Sequence, residues 1–240
     1  MRPSSLFALV LAGSTATAQV PETYTNLQVL PENISRNELT AIMRGFTEAL
    51  DVRCSTCHVG EEGQPLAEYD FASDDREMKV KARAMLRMVR AINTDHVAPL
   101  GGSVQVQCFT CHRGASSPQR LEAVLVAAWQ SAGADSLERA YRGYRDQYYG
   151  RAVFDFGPET LVRTAQQLFR LPNGPQGAHR ALTIQTTLFP EDGQGWIAFG
   201  QTLAAIGDTA AAITALERAV TLVGSSPQLQ RMLGALRGNQ

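Results

Sequence analysis

Two five-residue stretches, Cys54-Ser55-Thr56-Cys57-His58 and Cys108-Phe109-Thr110-Cys111-His112, decide how this sequence folds. Both have the pattern Cys-x-x-Cys-His, and together they contain every cysteine of the 240-residue chain. With four cysteines and four histidines, a chance match to this pattern has a probability on the order of one in a thousand. The histidine after each second cysteine therefore belongs to the chemistry of the motif.

Cys-x-x-Cys-His is the attachment motif of c-type haem, in which both thiols bond to the haem and the histidine binds its iron. The two motifs predict two covalently bound haems, with His58 and His112 as proximal iron ligands. Two alternatives compete with this interpretation. Disulfide pairing leaves the histidines unexplained, and a four-cysteine zinc site usually separates its pairs by ~15–20 residues. Here 50 residues lie between Cys57 and Cys108.

The segment before the first motif has helical periodicity and contains a candidate ligand for the other side of the iron. Ser35 and Glu38 form a capping box at the start of a helix that is expected to run to Leu50. Met43 lies on the apolar stripe of this helix. Its thioether is either a distal iron ligand or ordinary core packing, and the pattern leaves both open.

The second motif also follows a predicted helix. Ser73-Asp74-Asp75 is expected to be its N-cap, and its apolar periodicity continues to about Asn93. Met85 and Met88 lie within this helix, and His96 follows shortly after it. Spacing alone leaves all three open as the distal ligand of the second iron.

The N-terminus and the charge balance indicate where the chain works. Residues 1–18 have the pattern of a secretory signal, with Arg2, an apolar segment and a small-x-small cleavage site ending at Ala18. Ser14 stands where a lipoprotein box would have its cysteine, so no lipid anchor is expected there. The 22 Lys and Arg against 23 Asp and Glu argue against a nucleic-acid-binding surface. We expect a periplasmic or otherwise exported protein, soluble or peripherally bound to a membrane.

From about residue 119 the sequence contains no cysteine and resembles a helical repeat protein. Residues 159–192 and 193–226 repeat with a period of 34, which pairs Phe169 with Leu203 and Leu182 with Leu216, as in tetratricopeptide repeats. Further helices are expected over 121–129 and 227–236. Such repeats either bind proteins through a concave face or pack on the rest of the chain. The predicted division is a signal segment at 1–18, a di-haem domain at 19–118 and a helical domain at 119–240.

The stretch from Leu30 to Pro118 resembles the cytochrome subunit of photosynthetic reaction centres, a family of repeated helix–turn–CxxCH units whose usual members carry four haems. The matching segments are 37–43, 54–58, 70–75, 82–93 and 107–114. The resemblance implies that Met43 and Met88 are the distal ligands and that Met85 is a core residue. In that family a histidine near the position of His96 reaches a different haem of the four. Two of the four units are missing here, which leaves the role of His96 open.

The sequence therefore predicts an all-α protein in which a multihaem cytochrome c domain precedes tetratricopeptide-like repeats. We expect an electron carrier, not an enzyme, that exchanges electrons with redox proteins by outer-sphere transfer. A membrane-bound respiratory or photosynthetic complex is one candidate partner. The alternatives are a haem enzyme or sensor resembling di-haem peroxidases, in which Tyr69 or His96 serves an open iron, and a redox-responsive interaction protein that acts through its repeats.

Overall fold

The computed structural model describes residues 23–238, and their regular secondary structure is helical apart from one isolated β-bridge between Val59 and Asp70. The all-α fold class is therefore confirmed. The predicted signal segment, residues 1–18, lies outside the described residues. Within the described range, no helix is both long and apolar enough to span a bilayer. The chain divides into two compact units, one ending at Ser116 and the other beginning at Ser117.

Over residues 23–116, the first unit has two longer α-helices and two very short ones. They are α1 (Arg36–Leu50), α2 (Cys54–Cys57), α3 (Glu77–Ala91) and α4 (Cys108–His112), with 3-10 turns at Leu66–Glu68 and Ala98–Leu100 and a π-helical segment at Ile92–Val97. The predicted capping box is present, because Ser35 Oγ accepts from the Glu38 N–H and the Glu38 carboxylate accepts from the Ser35 N–H. Helix α1 packs against α4, and α2 packs against α3.

The start of α3 differs from the sequence prediction. The helix begins at Glu77 and has no side-chain cap, so Ser73-Asp74-Asp75 is not its N-cap. Asp74 instead accepts hydrogen bonds from Arg83 at 2.8 Å and from Asn26 at 3.0 Å. The prediction was wrong because an aspartate near the start of a helix can either interact with the helix dipole or form an ion pair with a residue elsewhere in the fold. The local sequence pattern is the same in both cases. His96, expected beyond the helix end, lies in the π-helical segment that continues α3.

The second unit is a stack of longer helices. They are α5 (Leu121–Tyr148), α6 (Pro158–Phe169), α7 (Gly174–Leu188), α8 (Gly193–Ala205), α9 (Thr209–Val223) and α10 (Pro227–Gly238). Helix α5 kinks at Ala132–Gly133, so the helix predicted over 121–129 is only its first part. Helices α6 and α7 pack as one pair and α8 and α9 as another.

The two helix pairs follow the predicted repeat with a change of register. Leu203 is buried, whereas its predicted partner Phe169 is 43% exposed and Leu168 is fully buried. The first helices of the two pairs, α6 and α8, are thus related by 35 residues, from Leu168 to Leu203. The second helices, α7 and α9, keep the period of 34, since Leu182 and Leu216 are both fully buried. The cause is the connection inside each pair, which covers 170–173 in the first and only 206–208 in the second. That the pairs are tetratricopeptide repeats stays a prediction.

The two units differ sharply in their apolar cores. Among residues 23–238, 23 apolar side chains are buried; 20 of them belong to the second unit, and the described part of the first unit contributes Leu39, Ala49 and Ala115. Several large apolar side chains of the first unit are 42–82% exposed, namely Val80, Met85, Met88, Leu100, Val104 and Phe109. The described residues of the first unit therefore bury few apolar side chains by themselves.

Candidate functional site

The first CxxCH motif folds as a single helical turn. Helix α2 contains both thiols, and the His58 N–H closes the turn on the Cys54 carbonyl at 2.9 Å. Residues three apart lie on the same face of a helix, so Cys54 and Cys57 can reach one edge of the same group. Burial raises the pKa of Cys57, and the neighbouring Cys54 raises it further. Cys57 is therefore a neutral thiol at neutral pH.

His58 lies at the end of this turn in a partly buried environment. Its ring meets the ring of Phe71 edge-on, with centroids 4.9 Å apart, and its buried Nδ1 has no hydrogen-bond partner. Burial lowers the pKa of His58, and the charge of Lys79 lowers it further. The imidazole is accordingly neutral at pH 7, which is the form that coordinates a metal.

The second CxxCH motif forms the five-residue helix α4, in which the same spacing again places both thiols on one face. Burial raises the pKa of Cys108. The chain turns away after the motif through Arg113, whose φ is +50°, and Gly114, whose φ is +92°. The Gly114 N–H then bonds to the Ala49 carbonyl at 2.9 Å, which attaches the end of this motif to the last turn of α1.

His112 has a fixed partner for one ring nitrogen. Its Nδ1 lies 3.0 Å from the backbone carbonyl of Ala115, a residue only 4% exposed. A carbonyl can only accept, so Nδ1 is the donor, and in the neutral form of the ring the lone pair is on Nε2. This is the usual arrangement of a metal-binding histidine, whose second nitrogen is held by a carbonyl or carboxylate.

The candidate distal residues lie on α1, on α3 and in the π-helical segment. Met43 is partly buried on α1. Met85 and Met88 are 42% and 45% exposed on α3, and His96 is exposed. Tyr69, considered for an open iron, is already engaged, because its hydroxyl donates to the Glu61 carbonyl at 2.7 Å.

A charged cluster next to the first motif was not foreseen from the sequence. Lys79 donates to the carbonyls of Phe71, Ala72 and Ser73 at 2.7–2.9 Å and lies 3.1 Å from the Asp74 carboxylate. Arg83, only 7% exposed, bonds to Asp74 and to the carbonyl of Asn26. The hydrogen bond from Arg83, followed by that from Asn26, holds the pKa of Asp74 well below its usual range. Basic residues four apart on a helix usually indicate a solvated face, so no local signal reveals this cluster.

The cysteine geometry distinguishes between the three interpretations of the motifs. All four cysteines are free, with no disulfide among them. No three Cys, His, Asp or Glu side chains within residues 23–238 converge as a metal cluster, so the arrangement of a four-cysteine zinc site is not found there. Each motif instead combines two free cysteines on one turn with a histidine at its end. This donor set fits a covalently attached haem.

Comparison with known proteins agrees with the site geometry. The family profile described as "Photosynthetic reaction centre cytochrome C subunit" matches residues 8–142. The "Photosynthetic reaction center cytochrome c subunit" of Thermochromatium tepidum is 36% identical over 113 residues, which is 45% of this chain and 25% of that protein. "Cytochrome c-554" of Chloroflexus aurantiacus is 36% identical over 115 residues, covering 47% of this chain and 25% of the relative.

A third relative, the reaction center cytochrome c subunit of Rubrivivax gelatinosus, is 33% identical over 105 residues, or 42% of this chain and 25% of that protein. The chain thus spans about a quarter of the length of these curated relatives. No solved structure matches it significantly. The family match covers more than half of the chain and includes both CxxCH motifs. The chain therefore belongs to the family of the cytochrome c subunit of photosynthetic reaction centres, whose cofactor is covalently bound haem c.

Proposed function

We propose that this chain is an exported di-haem cytochrome c that carries electrons between protein partners. The observation that supports this most strongly is that one site occurs twice, each time as two thiols on a single helical turn followed by a histidine. His58 and His112 are the proximal iron ligands in this proposal, and the two cysteine pairs form the thioether attachments. A bound haem supplies a one-electron couple, and each motif holds one.

The proposed distal ligands are Met43 from α1 and Met88 from α3, with Met85 and His96 as the less favoured candidates. A methionine bound to the iron would keep water and small ligands away from it. The residues would then hold the haem as a one-electron carrier and would offer no site for a substrate. His/Met ligation also raises the reduction potential relative to two histidines. This arrangement suits a carrier near the high-potential end of an electron-transfer chain.

Purified exported protein tests the haem count and the ligands. A pyridine haemochrome assay should find two c-type haems per chain. Met43→Ala and Met88→Ala should each lower the potential of one haem and open its iron to carbon monoxide, because water or nothing replaces the thioether. Met85→Ala, at an equally exposed position of α3, is the matched control. Any haem count other than two, or rapid carbon monoxide binding by the unaltered protein, contradicts the proposal.

In the same proposal residues 19–118 are the di-haem domain, and residues 119–240 are a repeat domain that docks a protein. Supporting this, α8, α9 and α10 line a groove of about 510 Å³ that includes Met232, Leu236 and the cation Arg231. The relatives are named as reaction-centre subunits, so we propose a membrane-bound electron-transfer complex as the partner and the periplasm as the location. Arg231→Glu should slow electron exchange with isolated membranes and leave reduction by a small reagent unchanged. Unchanged rates in both assays contradict docking at this groove.

A further inference from the structure

A loop between the first motif and α3 closes around the side chain of Lys79. The Lys79 ammonium donates to the backbone carbonyls of Phe71, Ala72 and Ser73 at 2.9, 2.9 and 2.7 Å, and its side chain is 11% exposed. An ammonium group has three N–H donors and no acceptor, so three carbonyls satisfy all of them. The Asp74 carboxylate, 3.1 Å away, adds the opposite charge. Consecutive carbonyls converge on one point only where the backbone curls, so Lys79 holds this curled loop, the Phe71 loop, in place.

The Phe71 loop is held from its other side by the aspartate at its start. Asp70 Oδ1 accepts from the N–H groups of Ala72 and Ser73 at 3.0 and 2.9 Å. The Asp70 N–H in turn donates at 2.9 Å to the carbonyl of Val59, the residue that follows His58. The backbone donors and acceptors of the loop are thus both bound, and its start is tied beside the histidine of the first motif.

A fixed Phe71 loop fixes the ring that contacts His58. The Phe71 ring meets the imidazole edge-on, with centroids 4.9 Å apart and planes at 67°. It also stacks on Tyr69, with centroids 5.6 Å apart and planes at 23°. The Tyr69 hydroxyl is held in turn by the Glu61 carbonyl at 2.7 Å. Because aromatic pairs have preferred relative orientations, a Phe71 ring that cannot move restricts rotation of the His58 ring.

We propose that Lys79 is a positioning residue of the first motif, which closes the Phe71 loop, holds the Phe71 ring against His58 and so sets the orientation of that imidazole. This inference rests on the proposed function, in which His58 binds a haem iron. His112 is held by different means, since its Nδ1 donates to the Ala115 carbonyl at 3.0 Å. The effect of Lys79 is therefore confined to the first motif.

Electron paramagnetic resonance of the full, haem-loaded ferric chain tests this inference, because the low-spin signal of a haem depends on the orientation of its axial imidazole. Lys79→Met keeps the side-chain length and removes the three donors. It should shift the g values of one of the two signals and leave the other unchanged. Lys79→Arg, which keeps donors and charge, should restore most of the original signal. Lys81→Met, on the same helix with a side chain 56% exposed, is the matched control and should shift neither signal.

Phe71→Leu separates the contact with His58 from the stability of the loop. It removes the ring and keeps the backbone hydrogen bonds, so it should shift the same signal, and adding Lys79→Met should change that signal little further. Hydrogen exchange of the Ala72 and Ser73 amides should be faster by about tenfold or more in Lys79→Met, since a hydrogen bond from a charged donor is worth at least that factor. Phe71→Leu should leave this exchange nearly unchanged. Phe71→Leu also decides the question if Lys79→Met does not fold.

The possible outcomes distinguish the inference from the proposed function. Faster exchange in Lys79→Met with both resonance signals unchanged would show that Lys79 only stabilises the loop, and it overturns the inference. Equal shifts of both signals, or an unchanged spectrum in Phe71→Leu, also overturn it. Each of these results leaves the carrier function intact. A pyridine haemochrome count other than two haems per chain overturns the proposed function and the inference with it.

Discussion

Replacing all four motif cysteines with serine should unfold the first unit and leave the second unit folded. The reason is the difference between their cores. Without covalently attached haem, residues 23–116 of the first unit bury one leucine and two alanines, whereas the described residues of the second unit bury 20 apolar side chains. A covalently attached haem adds a large apolar surface against which the exposed side chains of α3 and of the loop before α4 can pack.

The free energies of apolar burial differ clearly between the two units. Burial of a leucine contributes about 1.5–3 kcal/mol and each methyl group about 0.8 kcal/mol, so the three buried side chains contribute about 4 kcal/mol. By the same measure, the ten buried leucines of the second unit alone contribute about 15–30 kcal/mol. The described part of the first unit therefore gains far less stabilisation from buried apolar side chains than the second unit does, and depends on an attached haem for the rest of its core.

Hydrogen exchange followed by mass spectrometry measures this residue by residue. In the haem-free tetra-serine chain, amides of 36–50 and 77–91 should exchange at nearly the unfolded rate, while amides of 159–223 stay protected. The haem-loaded native chain is the control and should protect both regions. Protection of α1 and α3 in the haem-free chain would refute the reasoning, because it would show that the polypeptide supplies its own core.

Two further predictions concern the second unit. Gly177→Ala should lower the free energy of unfolding by about 1–3 kcal/mol, since a Cβ would lie 2.5 Å from Trp129 Nε1, whereas Gly143→Ala, with open space, should raise it by up to about 1 kcal/mol. Urea unfolding followed by tryptophan fluorescence measures both, and equal effects would contradict the packing argument. Burial alone would raise the pKa of Glu122, but the hydrogen bond from Arg163 at 2.6 Å, a backbone hydrogen bond and the charges of Arg120 and Arg163 together outweigh it, and the pKa is lowered. Its stabilisation is complete above about pH 4.3 and is lost as the pH falls through the lowered value. The melting temperature should therefore drop in this acid range, and Glu122→Gln should show a smaller drop.

Local patterns predicted much of the secondary structure. The Ser35–Glu38 capping box placed the start of α1 correctly, because both partners lie within one helical turn. The same kind of argument failed at Ser73-Asp74-Asp75, where Asp74 is taken by Arg83 and Asn26 instead. The repeat period was predicted to within one residue, and the error arose in the connection between α6 and α7, whose length the apolar pattern does not reveal.

One part of the candidate site could likewise be predicted from the sequence, and the other part could not. The sequence alone determined the cofactor chemistry, since the two thiols and the histidine of each CxxCH motif are consecutive and need only one helical turn to come together. Only the tertiary structure decided what surrounds each histidine. Gly114 meets Ala49 and Arg83 meets Asn26 across 65 and 57 residues of chain, and no local pattern encodes such contacts. The hydrogen bonds and charges around each histidine depend on those distant partners, because only tertiary packing brings them together.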